Sequence, residues 1–456
     1  MAKKHTTDLT NGPIFMKFIK FAVPLMISSL FQQLYHSADL FVAGNFSRDC
    51  ATTLGAVGAC GSITTLILNM FVGLSAGATV VCANHFGAGN QEKLNRSVRT
   101  AIAFAFCGGI FVAILGNFLA RPLLMLLETP GEILDRAVSY IRIIFIGKLP
   151  ALLYNSGAGI LRAFGDTKRP MYILTVSGLI NLSLNLVFVI CFHWDEVGVA
   201  VATMISQIVS ASVVLSIIFH PENGFGVKLK DIRIFKEEFI GILKVGIPTG
   251  LNSTLFSVAN VTVTSALNSL GAKAVAGIAA CNSVTNIINT IGGSMGTASV
   301  SFAAQNYGAG KLKRVDRMLW QAILFADSVY LILALIVTPN PSFFVGIFAN
   351  DPEIIPYGVE KLLLFAWGVM LNAPQQMFSA CQRGMRETVV PTIVSLAFTV
   401  LPRLFWILFV FPNLPQKATW IYISFPISWG LASVAQFVSY RKTRKRAEKR
   451  VSEGKM

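Results

Sequence analysis

Four polar side chains stand inside stretches otherwise apolar enough to cross a membrane. Asp39 lies in "LYHSADLFVAG" (34–44), about four residues from the outer end of an apolar run over 15–43; at ~1.5 Å per residue it is roughly 6 Å deep. A carboxylate at the centre of a spanning helix costs ~2.5–3.5 kcal/mol on insertion scales, and such groups mark ion pathways and proton relays. Asn181 and Asn185 occupy "MYILTVSGLINLSLNLVFVIC" (171–191). They stand four residues apart and share a helix face. Counted from the outer end, Asn185 reaches the depth of Asp39. Thr203 lies a turn or more into the next run, which opens with "GVAVATMIS" (198–206). A carboxylate, two amides and a hydroxyl supply hard oxygen ligands suited to Na⁺. Alternatively, Asp39 itself carries a proton. A purely structural role needs a cation beside Asp39, and Arg142 and Lys148 are the nearest in this half.

The elements that must position these groups follow from composition. The chain of 456 residues is 54% hydrophobic and 13% charged, against ~25% charged in soluble proteins. Runs of spanning length, which needs ~20 residues, recur from end to end. We expect an all-α polytopic membrane protein with twelve spans, near 15–43, 53–83, 98–120, 136–158, 171–192, 198–219, 242–268, 274–304, 318–338, 358–382, 391–411 and 419–439. Lys and Arg cluster on one side of these spans, which places the N- and C-termini in the cytoplasm by the positive-inside rule. The net charge of +16 is thereby assigned to topology and anionic lipid rather than nucleic acid. The seven cysteines are scattered and show no disulfide framework or zinc spacing. A cleaved signal peptide is not expected, since the first apolar run is too long and holds Asp39.

The chain repeats itself. "ANHFGAGNQEKLNR" (83–96) matches "AQNYGAGKLKRVDR" (304–317), and "RAFGDTKRP" (162–170) matches "RGMRETVVP" (383–391), both offset by 221 positions; "KFAVP" (20–24) matches "KVGIP" (244–248) at 224. Six spans per half is an even number, so both halves enter from the same side. A pseudo-twofold axis along the membrane normal is the expected relation between two six-helix bundles, with a cleft opened by rocking. The expected boundaries are 1–219 for the first lobe, 220–241 for an amphipathic linker, 242–439 for the second lobe and 440–456 for a basic tail, and 227–244 reads as an interfacial amphipathic helix. The Gly-Ala-Gly turns are expected to be helix C-caps. Pro24 removes a backbone hydrogen bond within the first span, which can bend there.

The motifs of other classes are missing or misplaced. No GxxxxGKS or GxxxxGKT occurs, which removes a nucleotide-driven pump, and there is no HExxH. "GLSAG" (73–77) matches the esterase string but lies in an apolar helix, where small residues serve close packing. The second half holds Pro402 and Trp406 where the first holds Asn181 and Asn185. It places Asp327 and Arg403 at similar depth, and we expect a structural ion pair between them.

Twelve spans in two halves, "VPL" early in the first, "ADLFVAG", the paired "FGAG" and "YGAG" turns and "GVAVAT" resemble the multidrug and toxic compound extrusion (MATE) family, in particular its DNA-damage-inducible F branch. The resemblance implies efflux of amphipathic, often cationic drugs or toxic compounds through the cell inner membrane, driven by H⁺ or Na⁺ entry, by a monomer without cofactor or enzymatic activity. It places the family's cation site on Asp39, Asn181, Asn185 and Thr203, and the bending proline on Pro24. Gln32, Tyr35, His36 and Tyr140 are expected to line the same lobe. That branch usually has a second acid where this chain has Asn185, which leaves the coupling ion and its stoichiometry open. A competing reading is a flippase for lipid-linked saccharides, of the same wider superfamily. A flippase cavity needs clustered cations, and only Arg142, Lys148 and Arg403 lie within spans away from the span ends.

Overall fold

The computed structural model describes residues 7–220, 227–348, 351–415 and 417–454. Every regular element among them is helical: α1 (Ile14–Phe46), α2 (Cys50–Gly87), α3 (Gln91–Leu126), α4 (Gly131–Ala163), α5 (Lys168–Leu186), α6 (Asp195–Phe219), α7 (Lys236–Asn268), α8 (Ala272–Gly308), α9 (Leu312–Val337), α10 (Pro341–Gly346), α11 (Ile355–Gly368), α12 (Asn372–Gly384), α13 (Val389–Ser395), α14 (Leu401–Phe405), α15 (Ala418–Tyr422) and α16 (Ser424–Ser452). Among the described residues, eleven helical segments are long and apolar enough to cross a membrane. The expected span near 358–382 is interrupted. It forms α11, a 3₁₀ turn over Val369–Leu371, and α12, where Asn372 and Pro374 follow the turn.

The chain divides into two compact units. The first comprises Met1–Asp8 and Val23–Gly250, the second Leu9–Ala22 and Leu251–Met456. The chain passes from one to the other beside Pro24 in α1 and beside Pro248 in α7.

Within the first unit, glycines set the closest helix contacts. A Cβ on Gly73 would lie 2.3 Å from the Gly250 nitrogen, and one on Gly77 would lie 2.4 Å from the Ile242 carbonyl oxygen. The "GLSAG" string and the Gly246–Gly250 pair are thus facing small-residue stripes that let α2 and α7 touch backbone to backbone. The Gly-Ala-Gly turns are C-caps, with Gly89 at φ +68° and Gly310 at φ +70°. Asn90 then caps α3 by accepting from the Lys93 amide at 3.0 Å.

One further expectation changes. Residues 227–244 do not form one amphipathic helix: among the described residues a 3₁₀ turn forms over Leu229–Asp231 before α7 begins at Lys236. Local partners hold this stretch instead. Arg99 pairs with Asp231 at 3.3 Å, the Phe235 amide donates to Thr100 Oγ1 at 3.1 Å, and Phe239 packs edge-on against Phe104. Residues 221–226 lie outside the described residues, as do Lys3 and Lys4. The basic tail is in large part the continuation of α16 to Ser452, tied down by Arg444 to Asp316 at 3.0 Å and Arg450 to Glu387 at 2.5 Å.

Candidate cation site

The sequence places Asp39 on α1, Asn181 and Asn185 on α5, and Thr203 on α6. A side chain fitted against a glycine registers the first two helices. A Cβ on Gly178 would lie 1.8 Å from Tyr35 Cζ, so the tyrosine ring lies where any larger residue would stand. The Tyr35 hydroxyl donates to the Thr175 carbonyl at 3.1 Å, and its ring stacks on Phe31. One turn beyond Tyr35 is Asp39, and two turns beyond Gly178 is Asn185.

The four polar groups form one chain of hydrogen bonds. Asn185 Nδ2 donates to Asp39 Oδ1 at 2.5 Å and lies 3.3 Å from Asn181 Oδ1. Asn181 Nδ2 donates to Thr203 Oγ1 at 3.2 Å, and that hydroxyl donates to the Val199 carbonyl at 2.9 Å. Asn185 is 0% exposed and Asn181 4%. One acceptor in the chain is left over: Asn185 Oδ1 is buried with no hydrogen-bond donor. A buried acceptor without a partner costs ~1–3 kcal/mol, and an amide can be turned to present it elsewhere.

The surroundings are apolar on one side and charged at the rim. Tyr140 is buried in a cluster with Val42, Ala43, Val57, Cys60 and Val199. At the start of α6, Arg136 of α4 contacts Glu196 at 2.6 Å, Asp195 at 3.3 Å and Thr53 Oγ1 at 3.1 Å. This clasp joins α2, α4 and α6 where Thr203 is anchored. Arg136 is not among the residues picked out from the sequence. The acidic pair in the first turn of α6 was its available signal.

Among the described residues, no Lys or Arg forms an ion pair with Asp39. Arg142 is exposed. Lys148 is buried at 8% exposure and forms no ion pair among the described residues. No group of three His, Cys, Asp or Glu side chains comes together among the described residues, so a cation here would rest on one carboxylate and neutral oxygens. Gln32 is exposed. The side chain of His36 lies outside the described residues. Ser28 Oγ donates to the Pro24 carbonyl at 2.8 Å, a back-bond that commonly accompanies helix bending.

The expected pair in the second unit does not form. Arg403 stacks on Phe425 at 3.7 Å from the ring centroid, lies 5.9 Å from Trp429, and donates to Ser428 Oγ at 3.2 Å. These three partners follow i, i+3, i+4 spacing and share one face of α16, so α16 rather than α9 receives the guanidinium. Asp327 Oδ1 has no hydrogen bond.

The MatE family profile matches residues 24–187 and 248–405. The probable multidrug resistance protein YoeA of Bacillus subtilis (strain 168) is 26% identical over 383 residues, covering 82% of each chain. The probable multidrug resistance protein YpnP of the same organism is 27% identical over 456 residues, covering 98% of this chain and 99% of its own. A solved MOP superfamily transporter from Pyrococcus furiosus superposes with a TM-score of 0.90 at 22% identity, over 98% of this chain and 100% of that one. The chain belongs to the MatE family.

Proposed function

We propose that this protein is a secondary active exporter of amphipathic, often cationic compounds, coupled to entry of H⁺ or Na⁺ at Asp39. Relatives named as multidrug resistance proteins support export of such compounds. The observation that carries the coupling is the part-buried chain from Asp39 through the buried Asn185 and Asn181 to Thr203, with its leftover acceptor at Asn185 Oδ1. As drawn, an amide N–H faces the carboxylate, the arrangement for a charged Asp39. When a proton arrives, the carboxyl becomes a donor, and Asn185 turns to accept through Oδ1. When Na⁺ arrives, the same turn adds a neutral oxygen beside the carboxylate. Either event exchanges a charge-assisted bond between α1 and α5 for a different one. Pro24, lower in α1, lets that helix respond by bending. Tyr35 holds the register against Gly178, while Tyr140 and the apolar cluster keep water from the amides.

The protein acts as a monomer in the cell inner membrane, with both termini in the cytoplasm. Membrane lipids rather than nucleic acid meet its basic surface. The flippase reading is weaker because the buried cations of the second unit are already engaged. Lys361 bonds Asn282 and lies 5.0 Å from the Tyr422 ring centroid, and Arg403 is held by aromatic faces. The test is efflux of a cationic dye from proteoliposomes under an imposed proton or Na⁺ gradient. Gradient-driven efflux that is lost in Asp39→Asn is expected. Dye movement indifferent to both gradients overturns the proposal.

A further inference from the structure

A groove of about 580 Å³ opens in the second unit, at the end where α1 and α9 begin. Its lining includes Lys311, Lys313, Arg314, Arg317 and Arg444 against one carboxylate, Glu448. Three of these cations have work within the fold. Lys311 donates to the Thr10 carbonyl at 3.0 Å and to Asn11 Oδ1 at 2.7 Å. Arg314 donates to the carbonyls of Leu9, Asn11 and Gly12. Arg444 pairs with Asp316 and Glu448. Lys313 and Arg317 have no ion-pair or hydrogen-bond partner among the described residues. They are four apart on α9, both exposed, a like-charge spacing that weakens a helix unless an anion lies between them.

The positive-inside rule accounts for basic residues at this end, but not for their convergence on one groove. The same face of α9 continues from Arg317 to Trp320, Leu324, Leu331 and Leu335, which are 56%, 65%, 42% and 56% exposed. Positions 313, 317, 320, 324, 331 and 335 fall on one stripe of a helix with ~3.6 residues per turn. Along it, cations give way to an indole and then to leucines. That order matches the layers of a bilayer: charged headgroup, interfacial ring, acyl chain. Ile14 and Leu312 add apolar surface to the groove itself.

We propose that this groove binds the phosphate of an anionic phospholipid, held between Lys313 and Arg317, with the acyl chains along the Trp320–Leu335 stripe. The apolar stripe favours lipid over a free phosphate. A lipid bound here would also brace the N-terminal residues Leu9–Gly12, which Lys311 and Arg314 hold beside the groove.

The test uses the purified full chain in neutral detergent. Its thermal unfolding midpoint is followed while phosphatidylglycerol, phosphatidylcholine or inorganic phosphate is added. Phosphatidylglycerol is expected to raise the midpoint and phosphatidylcholine to leave it. Lys313→Gln with Arg317→Gln should need roughly 25-fold more phosphatidylglycerol for the same rise, about fivefold per cation. Without lipid its midpoint should equal or exceed that of the parent, because a like-charge pair is removed. Lys442→Gln with Lys445→Gln, exposed positions outside the groove, removes the same charge and should respond as the parent does. An unchanged lipid response in the groove variant overturns the site. So does an equal loss in the control, which would mean general charge attraction. Stabilisation by inorganic phosphate that depends on Lys313 and Arg317 would assign the groove to a free anion and overturn the lipid.

Discussion

The two units share a backbone plan and differ in what they bury. At the 221 offset, Gly165 and Arg386 both take left-handed conformations, φ +82° and φ +63°, as do Gly89 and Gly310. A π-helical turn ends α5 at Val187–Cys191, and another lies at Trp406–Val410. Pro24 and Pro248 lie inside α1 and α7 at the 224 offset. The polar interiors do not correspond. Asp39 falls on Val263, which packs with Ile407 and Tyr422. Asn185 falls on Trp406, whose indole donates to the Trp420 carbonyl. Tyr140 falls on Lys361. The first unit thus holds a carboxylate with amides, and the second holds cations against aromatic rings. Backbone geometry, which allows bending and close packing, is common to both. The ion chemistry we propose belongs to one.

The sharpest way to break that comparison is Asp39→Asn. The variant keeps shape and hydrogen bonding to Asn185 but loses the charge. Gradient-driven efflux should fall more than about tenfold, a change of only ~1.4 kcal/mol in ion binding, with insertion and unfolding midpoint near those of the parent. Retained coupling in a well-inserted variant would mean that the first unit's acid is not the ion carrier.

Gly178→Ala follows in size. Its methyl would occupy the place of the Tyr35 ring, and overpacking typically costs ~1–3 kcal/mol. Both the unfolding midpoint and ion-dependent efflux should drop. Tyr35→Phe keeps the ring and should cost much less. A silent Gly178→Ala would show that α1 and α5 are not registered at this contact.

Asn185→Asp sharpens the comparison by adding a second acid beside Asp39, and two carboxylates in one buried site do not both ionise readily. A proton-coupled site should shift its pH optimum upward. A Na⁺ site should show a lower half-activating Na⁺ concentration. Efflux in proteoliposomes across pH and Na⁺, at matched membrane potential, separates the two. Thr203→Ala is the milder companion: losing one neutral hydrogen bond of ~1 kcal/mol should weaken ion activation roughly fivefold.

Much of this was legible in residue spacing. Depth along the apolar runs brought Asp39, Asn185 and Thr203 to one level, because rise per residue is nearly constant in a helix. The i, i+4 spacing of Asn181 and Asn185 gave their common face. The repeat gave the left-handed caps, since glycine after an apolar run has one main use there. Spacing could not show which side chain receives Arg403. Depth made Asp327 a candidate, but rotation about the helix axis decided for Phe425 and Trp429, and aromatic faces carry no charge to betray them in the sequence. The segment before α7 failed for a related reason: its alternating apolar and basic residues fit a helix face on paper, while Asp231 and Phe235 had nearer partners on α3.

The smallest expected effect is the most direct check on the asymmetry. Asp327→Asn removes the acid within α9 of the second unit, where neither an ion pair nor an amide chain engages it. The substitution keeps volume, and the surroundings supply Asp327 Oδ1 with no donor to lose. Efflux rate, pH optimum and half-activating Na⁺ concentration should stay within about twofold of the parent, a difference of ~0.4 kcal/mol. Measured beside Asp39→Asn in the same proteoliposomes, the two variants report on the same chemistry placed in different settings. Loss of ion dependence in both would mean that transport draws on carboxylates in both units, and that the hydrogen-bond chain around Asp39 does not by itself mark the coupling site.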